Sequence, residues 1–189
     1  EVASHSTLNN PADFTFSCWL SSSNTSALGT HRHLFGIGAS DRSQHKRMYL
    51  EASTNKIVVE VGFTTTSAVY KTNSAIDFSL GWHHLAASII TAVDSATIVV
   101  YVDGGAVAGG FTQSPLGTFD TPGEQSSLLC ARKAGGGIST NTMFYSGSSA
   151  EMSYWSGSLN SAEVVEIYSQ GGANQFPGPQ DLSNHSAYD

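Results

Sequence analysis

Charge is scarce in this 189-residue chain: Asp, Glu, Lys and Arg together make up 12% of it, about half the usual share. The shortage is lopsided. Eight Lys and Arg stand against fifteen Asp and Glu, a formal net charge of −7, which excludes the concentrated basic surface that nucleic-acid binding requires. Apolar continuity is missing too, since no window approaches the ~18 uninterrupted apolar residues of a membrane span. Two cysteines, Cys18 and Cys130, are too few for a disulfide framework and lack the paired spacing of a metal site. They read as two inert core thiols, with a single inter-strand bridge as the alternative in an oxidising compartment. No signal peptide is evident and the first residue is Glu1 rather than Met, so the sequence reads as a mature product, a fragment or an excised piece.

What is present is β-structure. The hydrophobic content of 40% suffices for one sizeable core, and the length suits a single all-β sandwich. Strand-like runs are Phe14 to Leu20, His33 to Ala39, Arg47 to Ala52, Lys56 to Phe63, Ala68 to Lys71, Trp82 to Ile90, Ala96 to Val102, Ser127 to Arg132 and Ala150 to Trp155. Short strands separated by Gly, Ser, Asn and Asp indicate a sandwich or barrel rather than alternating β and α units. The run ending Tyr101-Val102-Asp103-Gly104 closes on a dipeptide that tolerates the positive φ angles of a type I′ hairpin turn. Alternation assigns faces: Phe14, Phe16, Cys18 and Leu20 to one side of their strand, with Thr15, Ser17 and Trp19 on the other. In the last strand Met152 and Tyr154 oppose Glu151, Ser153 and Trp155.

One helix is predicted, over Ser161 to Gln170. Asn160 and Glu163 form a capping box, Val164, Ile167 and Tyr168 an apolar stripe, and Gly171-Gly172 the stop.

Three segments carry a resemblance. Phe14-Thr15-Phe16-Ser17-Cys18-Trp19-Leu20, the pair Trp82-His83-His84-Leu85-Ala86 and Tyr101-Val102-Asp103-Gly104, and the capped helix after Trp155 occur in the order and spacing found in laminin G-like domains. The chain thus resembles the concanavalin A-like lectin/glucanase superfamily. The resemblance implies an antiparallel two-sheet jelly roll with one short C-terminal helix over residues 1–174, and a Pro/Gly-punctuated linker or tail over 175–189. It further implies a non-catalytic binding or adhesion module whose ligand is a glycan, in an extracellular or virion-surface protein. The alternative is a structural or assembly domain of a virion, whose partners are neighbouring protein subunits or copies of itself in a homo-oligomer, as part of a longer polypeptide.

A second alternative is glycoside chemistry, which needs two carboxylates ~5 Å apart in retaining enzymes. The glucanase pattern Glu-apolar-Asp-x-x-Glu has no equivalent here. Glu51 and Glu60 lie on different strands, and Glu163 with Glu166 belongs to the helix. His83 and His84, adjacent on a strand, point to opposite faces and cannot act together. The segment His31-Arg32-His33 with Arg42, His45, Lys46 and Arg47 holds four of the eight Lys and Arg. It reads either as an anion-contacting surface for acidic sugars or an acidic neighbour, or as a solvated hairpin, and the hairpin is the expectation.

No metal site is assigned. The resemblance leaves calcium open, with Asp41, Asp94 and Asp120 in candidate loops but no dense oxygen-ligand motif. The ligand surface is expected around an outward Trp155, with Tyr145, Asn141 and the Gly135-Gly136-Gly137 loop at its margin; packing of Trp155 against the helix is the other reading.

Overall fold

A computed structural model describes residues 12–22, 31–38, 45–120, 127–129, 133–134, 137–138, 145 and 147–170. Among the described residues thirteen strands are formed: β1 (Phe14–Ser21), β2 (Arg32–Gly38), β3 (His45–Leu50), β4 (Ile57–Val61), β5 (Ala68–Thr72), β6 (His83–Ala92), β7 (Ser95–Val102), β8 (Gly105–Val107), β9 (Gly109–Gln113), β10 (Ser127–Leu129), β11 (Lys133–Ala134), β12 (Gly137–Ile138) and β13 (Ser148–Ser156). The helix α1 (Ser161–Gln170) follows β13. A five-stranded sheet runs β13-β1-β6-β7-β8 and a six-stranded sheet runs β10-β2-β3-β4-β5-β9, with β11 and β12 forming a separate ribbon. All pairings are antiparallel.

The core fills the space between the two sheets. From the five-stranded sheet come Phe14, Phe16, Cys18, Leu20, Leu85, Ala87 and Ile89; from the six-stranded sheet come Phe35, Ile37, Met48, Leu50, Ile57, Val59 and Val61. Both sets follow the period-two alternation of a strand with one face buried. Met152 and Tyr154 pack on this core as well. A bulge in β2 breaks the alternation: His33 faces Tyr49 and Phe35 faces Met48, so Leu34 is the extra residue. Both Leu34 and Phe35 thereby enter the core, which simple alternation forbids. Cys18 is buried among these side chains; Cys130 lies outside the described residues, as does the predicted linker over 175–189.

The signature hairpin explains itself. Asp103 (φ 51°) and Gly104 (φ 76°) both adopt the left-handed conformation that a type I′ turn demands, joining β7 to β8. The Asp103 carboxylate then reaches back to β6, accepting from the His84 backbone N–H at 2.9 Å and meeting His83 Nδ1 at 2.7 Å. The Trp-His-His and Asp-Gly segments are thus one hydrogen-bonded unit, and their role is structural.

The helix seals one outer face. Asn160 Oδ1 accepts from the N–H groups of Ala162 and Glu163 (2.9 and 3.2 Å), and Glu163 accepts from the Asn160 N–H at 2.7 Å. This is the predicted capping box. Val164 is buried against Ala86 and Tyr101, with Leu159 alongside, and Tyr168 stacks on Trp19 with ring centroids 5.7 Å apart. Beneath the helix start, the Thr15 hydroxyl donates to Gly157 C=O (3.1 Å) and accepts from Leu159 N–H (2.8 Å), while Ser88 donates to Leu159 C=O (2.8 Å).

Four strands were not predicted: β8, β9, β11 and β12. β8 and β9 are rich in Gly and Ala, poor strand formers in isolation. At Gly109 a Cβ would stand 2.6 Å from the Lys71 carbonyl oxygen, so this crowded edge position requires glycine.

Candidate functional site

With α1 over the five-stranded sheet, the outer face of the six-stranded sheet is the larger remaining surface of the sandwich. Its composition follows from register, because residues directly opposite in an antiparallel pair share a face. One row crosses β2 to β5 as His33, Tyr49, Val58 and Lys71; the next crosses as Gly36, Arg47, Glu60 and Val69. His45 projects from the same face of β3, and Glu51 lies just past its end.

This strip is held by mutual pairing. His45 Nε2 lies 3.0 Å from Glu60, and Arg47 lies 3.9 Å from the other oxygen of the same carboxylate. Lys71 donates to Glu51 at 2.6 Å, and Thr54 donates to the second Glu51 oxygen. These two hydrogen bonds, with that from Lys71 dominant, hold the Glu51 carboxyl below the usual carboxylate range. The Tyr49 ring is flanked by His31 and His33, at centroid distances of 4.9 and 5.0 Å, and His31 Nδ1 accepts from the Ala52 N–H. His33, His45, Arg47 and Val58 are buried, whereas Tyr49 and His31 are half-buried. Glu60, Glu51 and Lys71 keep 16, 22 and 26% of their side-chain surface exposed. A half-buried aromatic ring flanked by imidazoles thus shares its sheet face with carboxylates and an ammonium, an arrangement suited to a small ring-shaped ligand rich in hydrogen-bonding groups.

The expected solvated hairpin at His31 to Arg47 is corrected by this geometry. Arg32 faces Leu50 across the β2–β3 pair and Lys46 faces Ile37 and Val61, so both side chains turn into the sandwich, and both are buried. Arg42 lies outside the described residues. The charge of the segment marks it out in the sequence, but alternation within it does not separate its two faces; Tyr49 and Lys71 carry no such mark, and Glu60 is weighed there only as a catalytic carboxylate. The signal was available in alternation applied across three strands rather than within one.

Of the residues expected to form a ligand surface, Trp155 and Tyr145 stand apart. Trp155 faces outward from β13, 39% exposed, with its indole N–H 3.5 Å from the Ser17 hydroxyl. Tyr145 is 7% exposed and joins the core, because it enters the sandwich beyond the opposite end of the strand that carries Trp155. Asn141 and Gly136 lie outside the described residues. Residue by residue, His83 and His84 do face opposite ways: His83 packs on Phe78, while His84 lies under the helix beside Trp19 and Tyr168.

For calcium the described residues are a poor fit. The Asp94 carboxylate already accepts from Gly117 N–H at 2.5 Å, and among the described residues no three His, Cys, Asp or Glu converge as metal ligands. Asp41 lies outside them.

Comparison with known proteins gives a family. Residues 1–165 match the laminin G-like family described as the concanavalin A-like lectin/glucanases superfamily, and the chain belongs to it. No curated protein matches the sequence. Among solved structures it is similar to the CBM40 module of a Ruminococcus gnavus IT-sialidase bound to alpha2,3 sialyllactose, at 14% identity and TM-score 0.63 over 86% of each chain. It is similar also to domain 4 of an extracellular GH43 arabinanase from Geobacillus stearothermophilus in complex with arabinotriose, at 20% identity and TM-score 0.58, over 86% of this chain and 69% of that one. A heptameric SAP-like pentraxin from Limulus polyphemus matches at 15% identity and TM-score 0.58, over 85% and 71% of the two chains. At these identities the likeness is one of fold.

Proposed function

We propose that this member of the concanavalin A-like superfamily is a non-catalytic carbohydrate-binding module, set in an extracellular or virion-surface protein, and that its sugar lies on the outer face of the six-stranded sheet. The observation that carries the reading is the Tyr49 ring held between His31 and His33, on the same sheet face as the Glu60–His45 and Glu51–Lys71 pairs. An aromatic face supplies apolar contact to sugar C–H groups, and the surrounding polar side chains supply the orienting hydrogen bonds. The carbohydrate-binding modules among similar structures support the ligand class by analogy of fold.

Catalysis is disfavoured by spacing. Glu51 pairs with Lys56 through its backbone N–H, and Glu60 lies four strand residues further, about 13 Å along the sheet. Glycoside hydrolysis uses carboxylates about 5 to 9.5 Å apart. Each of these two is also committed to a cation.

Trp155 offers a second, smaller platform on the other sheet, supported by its exposed indole beside Ser17. A glycan array, run with and without calcium, tests the module reading, and Tyr49→Ala against Trp155→Ala assigns the surface. Loss of binding with the first variant alone supports the six-stranded face; loss with the second alone moves the site to Trp155. An array with no binder, together with sugar-independent oligomers in light scattering, overturns the reading in favour of an assembly domain.

A further inference from the structure

The geometry points to selectivity within that carbohydrate reading, on which this inference rests: the strip around Tyr49 takes uncharged sugars and disfavours sialylated, sulfated or uronic ones. In the sequence, Arg32, Lys46 and Arg47 belong to the cationic segment for which an anion-contacting surface was one of two readings. The fold takes that cluster apart. Arg32 turns inward and donates to Asn55, and Lys46 turns inward to donate to Tyr154. Arg47 remains on the outer face, but it is buried and directed at Glu60.

Lys71 is the other cation of the strip among the described residues, and it is spent on Glu51 at 2.6 Å. Lys56 stands opposite Glu51 at the end of the strip, in the turn before β4. Among the described residues the two cations nearest Tyr49 on this face, Arg47 and Lys71, are therefore each matched by a carboxylate, and the carboxylates share the more exposed layer with Tyr49. A ligand carboxylate arriving over the ring would meet two fixed anions, and like-charge juxtaposition across an interface is costly. It would also have to break an existing ion pair to gain a cation. The chain's net charge of −7 adds a weaker, salt-screened repulsion. Neutral hydroxyls suffer none of this, since they donate to Glu51 and Glu60 and accept from Lys71 without disturbing either pair.

The test is calorimetric titration of the full chain with lactose, arabinotriose and 3′-sialyllactose, at about 50 and about 300 mM NaCl. The expected result is binding of at least one neutral sugar, insensitive to salt, with the sialylated sugar about tenfold weaker or more. Tighter binding of sialyllactose, weakening with salt, would overturn the selectivity and leave the carbohydrate reading standing. Absence of heat with all three sugars and with a wider neutral array would overturn both. A second arm tests the cause: Glu60→Gln and, at the more exposed pair, Glu51→Gln are expected to raise sialyllactose affinity about three- to tenfold. Should Glu60→Gln fail to fold, Glu51→Gln reads the same quantity, and an unchanged sialyllactose affinity in a folded variant rejects the electrostatic explanation.

Discussion

Lys46 Nζ donates to the Tyr154 hydroxyl at 2.8 Å, joining the two sheets through a charged side chain inside the sandwich. The ammonium lies 4.3, 5.3 and 5.5 Å from the ring centroids of Phe14, Phe119 and Tyr154. Cation–π attraction and one hydrogen bond offset only part of the desolvation cost. Burial accordingly pushes the Lys46 pKa down to about 7, and raises that of Tyr154.

This pairing makes stability depend on alkaline pH. In the unfolded chain a lysine titrates near ~10.4, so between about 7 and that value the unfolded state binds more protons than the folded one. Stability therefore rises with pH across that window and is lowest below it. Lys46→Met, of similar length and without charge, is expected to stabilise the domain at about pH 6 and to flatten the rise. Urea melts from about pH 6 to 10 measure both; an unaltered slope in the variant would reject the assignment to Lys46.

A second loss of the same sign operates in acid. His84 is buried between Trp19 and Tyr168, its Nδ1 has no hydrogen-bond partner among the described residues, and burial lowers its pKa to about 4. The unfolded imidazole titrates near ~6.5, so stability falls as pH drops from there to about 4. Trp fluorescence and circular dichroism followed through this range should report loosening around Trp19. His84→Phe is expected to remove the acid-dependent part of that loss.

The helix connection gives a third measurement. Thr15→Val deletes the hydroxyl that serves both Gly157 and Leu159, leaving a part-buried N–H and C=O without this partner. The expected cost is about 1–3 kcal/mol. Asn160→Ala removes the cap at a cost of about 0.5–2 kcal/mol. A double variant losing much less than the sum would indicate that either change already detaches the helix.

Trp155→Ala is expected to leave the fold intact, at a cost well short of the ~3–5 kcal/mol of a buried aromatic, because its ring is 39% exposed. Thermal melting of the variant decides this. A core-sized loss would mean that the indole is packing rather than presenting a surface.

The sandwich, the Asp103-Gly104 turn and the helix with its cap were legible because each rests on local chemistry: alternation, a dipeptide that accepts positive φ, and a side chain three residues from its backbone partner. β8 and β9 were not legible, since Gly105, Gly109 and Gly110 lack the side chains that mark a strand, and β9 is a strand because β5 lies beside it. The site was half legible. Charge drew attention to His31 through Arg47, but which of those side chains share a face depends on a bulge at Leu34 and on register with β4 and β5, neither of which is written in any one segment. Tyr145 and Trp155 were misjoined for the related reason that closeness in sequence along a strand becomes distance in space.

The pairing of β1 with both β6 and β13 has a kinetic meaning. The Thr15 hydroxyl closes on Gly157, 142 residues later in the chain, so β1 cannot complete its ladder on a ribosome until β13 has emerged. A nascent chain would carry an unfinished edge at β1 until β13 is made, with β6 as a lateral neighbour on one side and none on the other. Topologies dominated by such distant pairings fold in milliseconds to seconds rather than microseconds, and an exposed strand edge is the form in which β-proteins meet copies of themselves. Production of this domain should therefore be limited less by its final stability than by how long β1 waits.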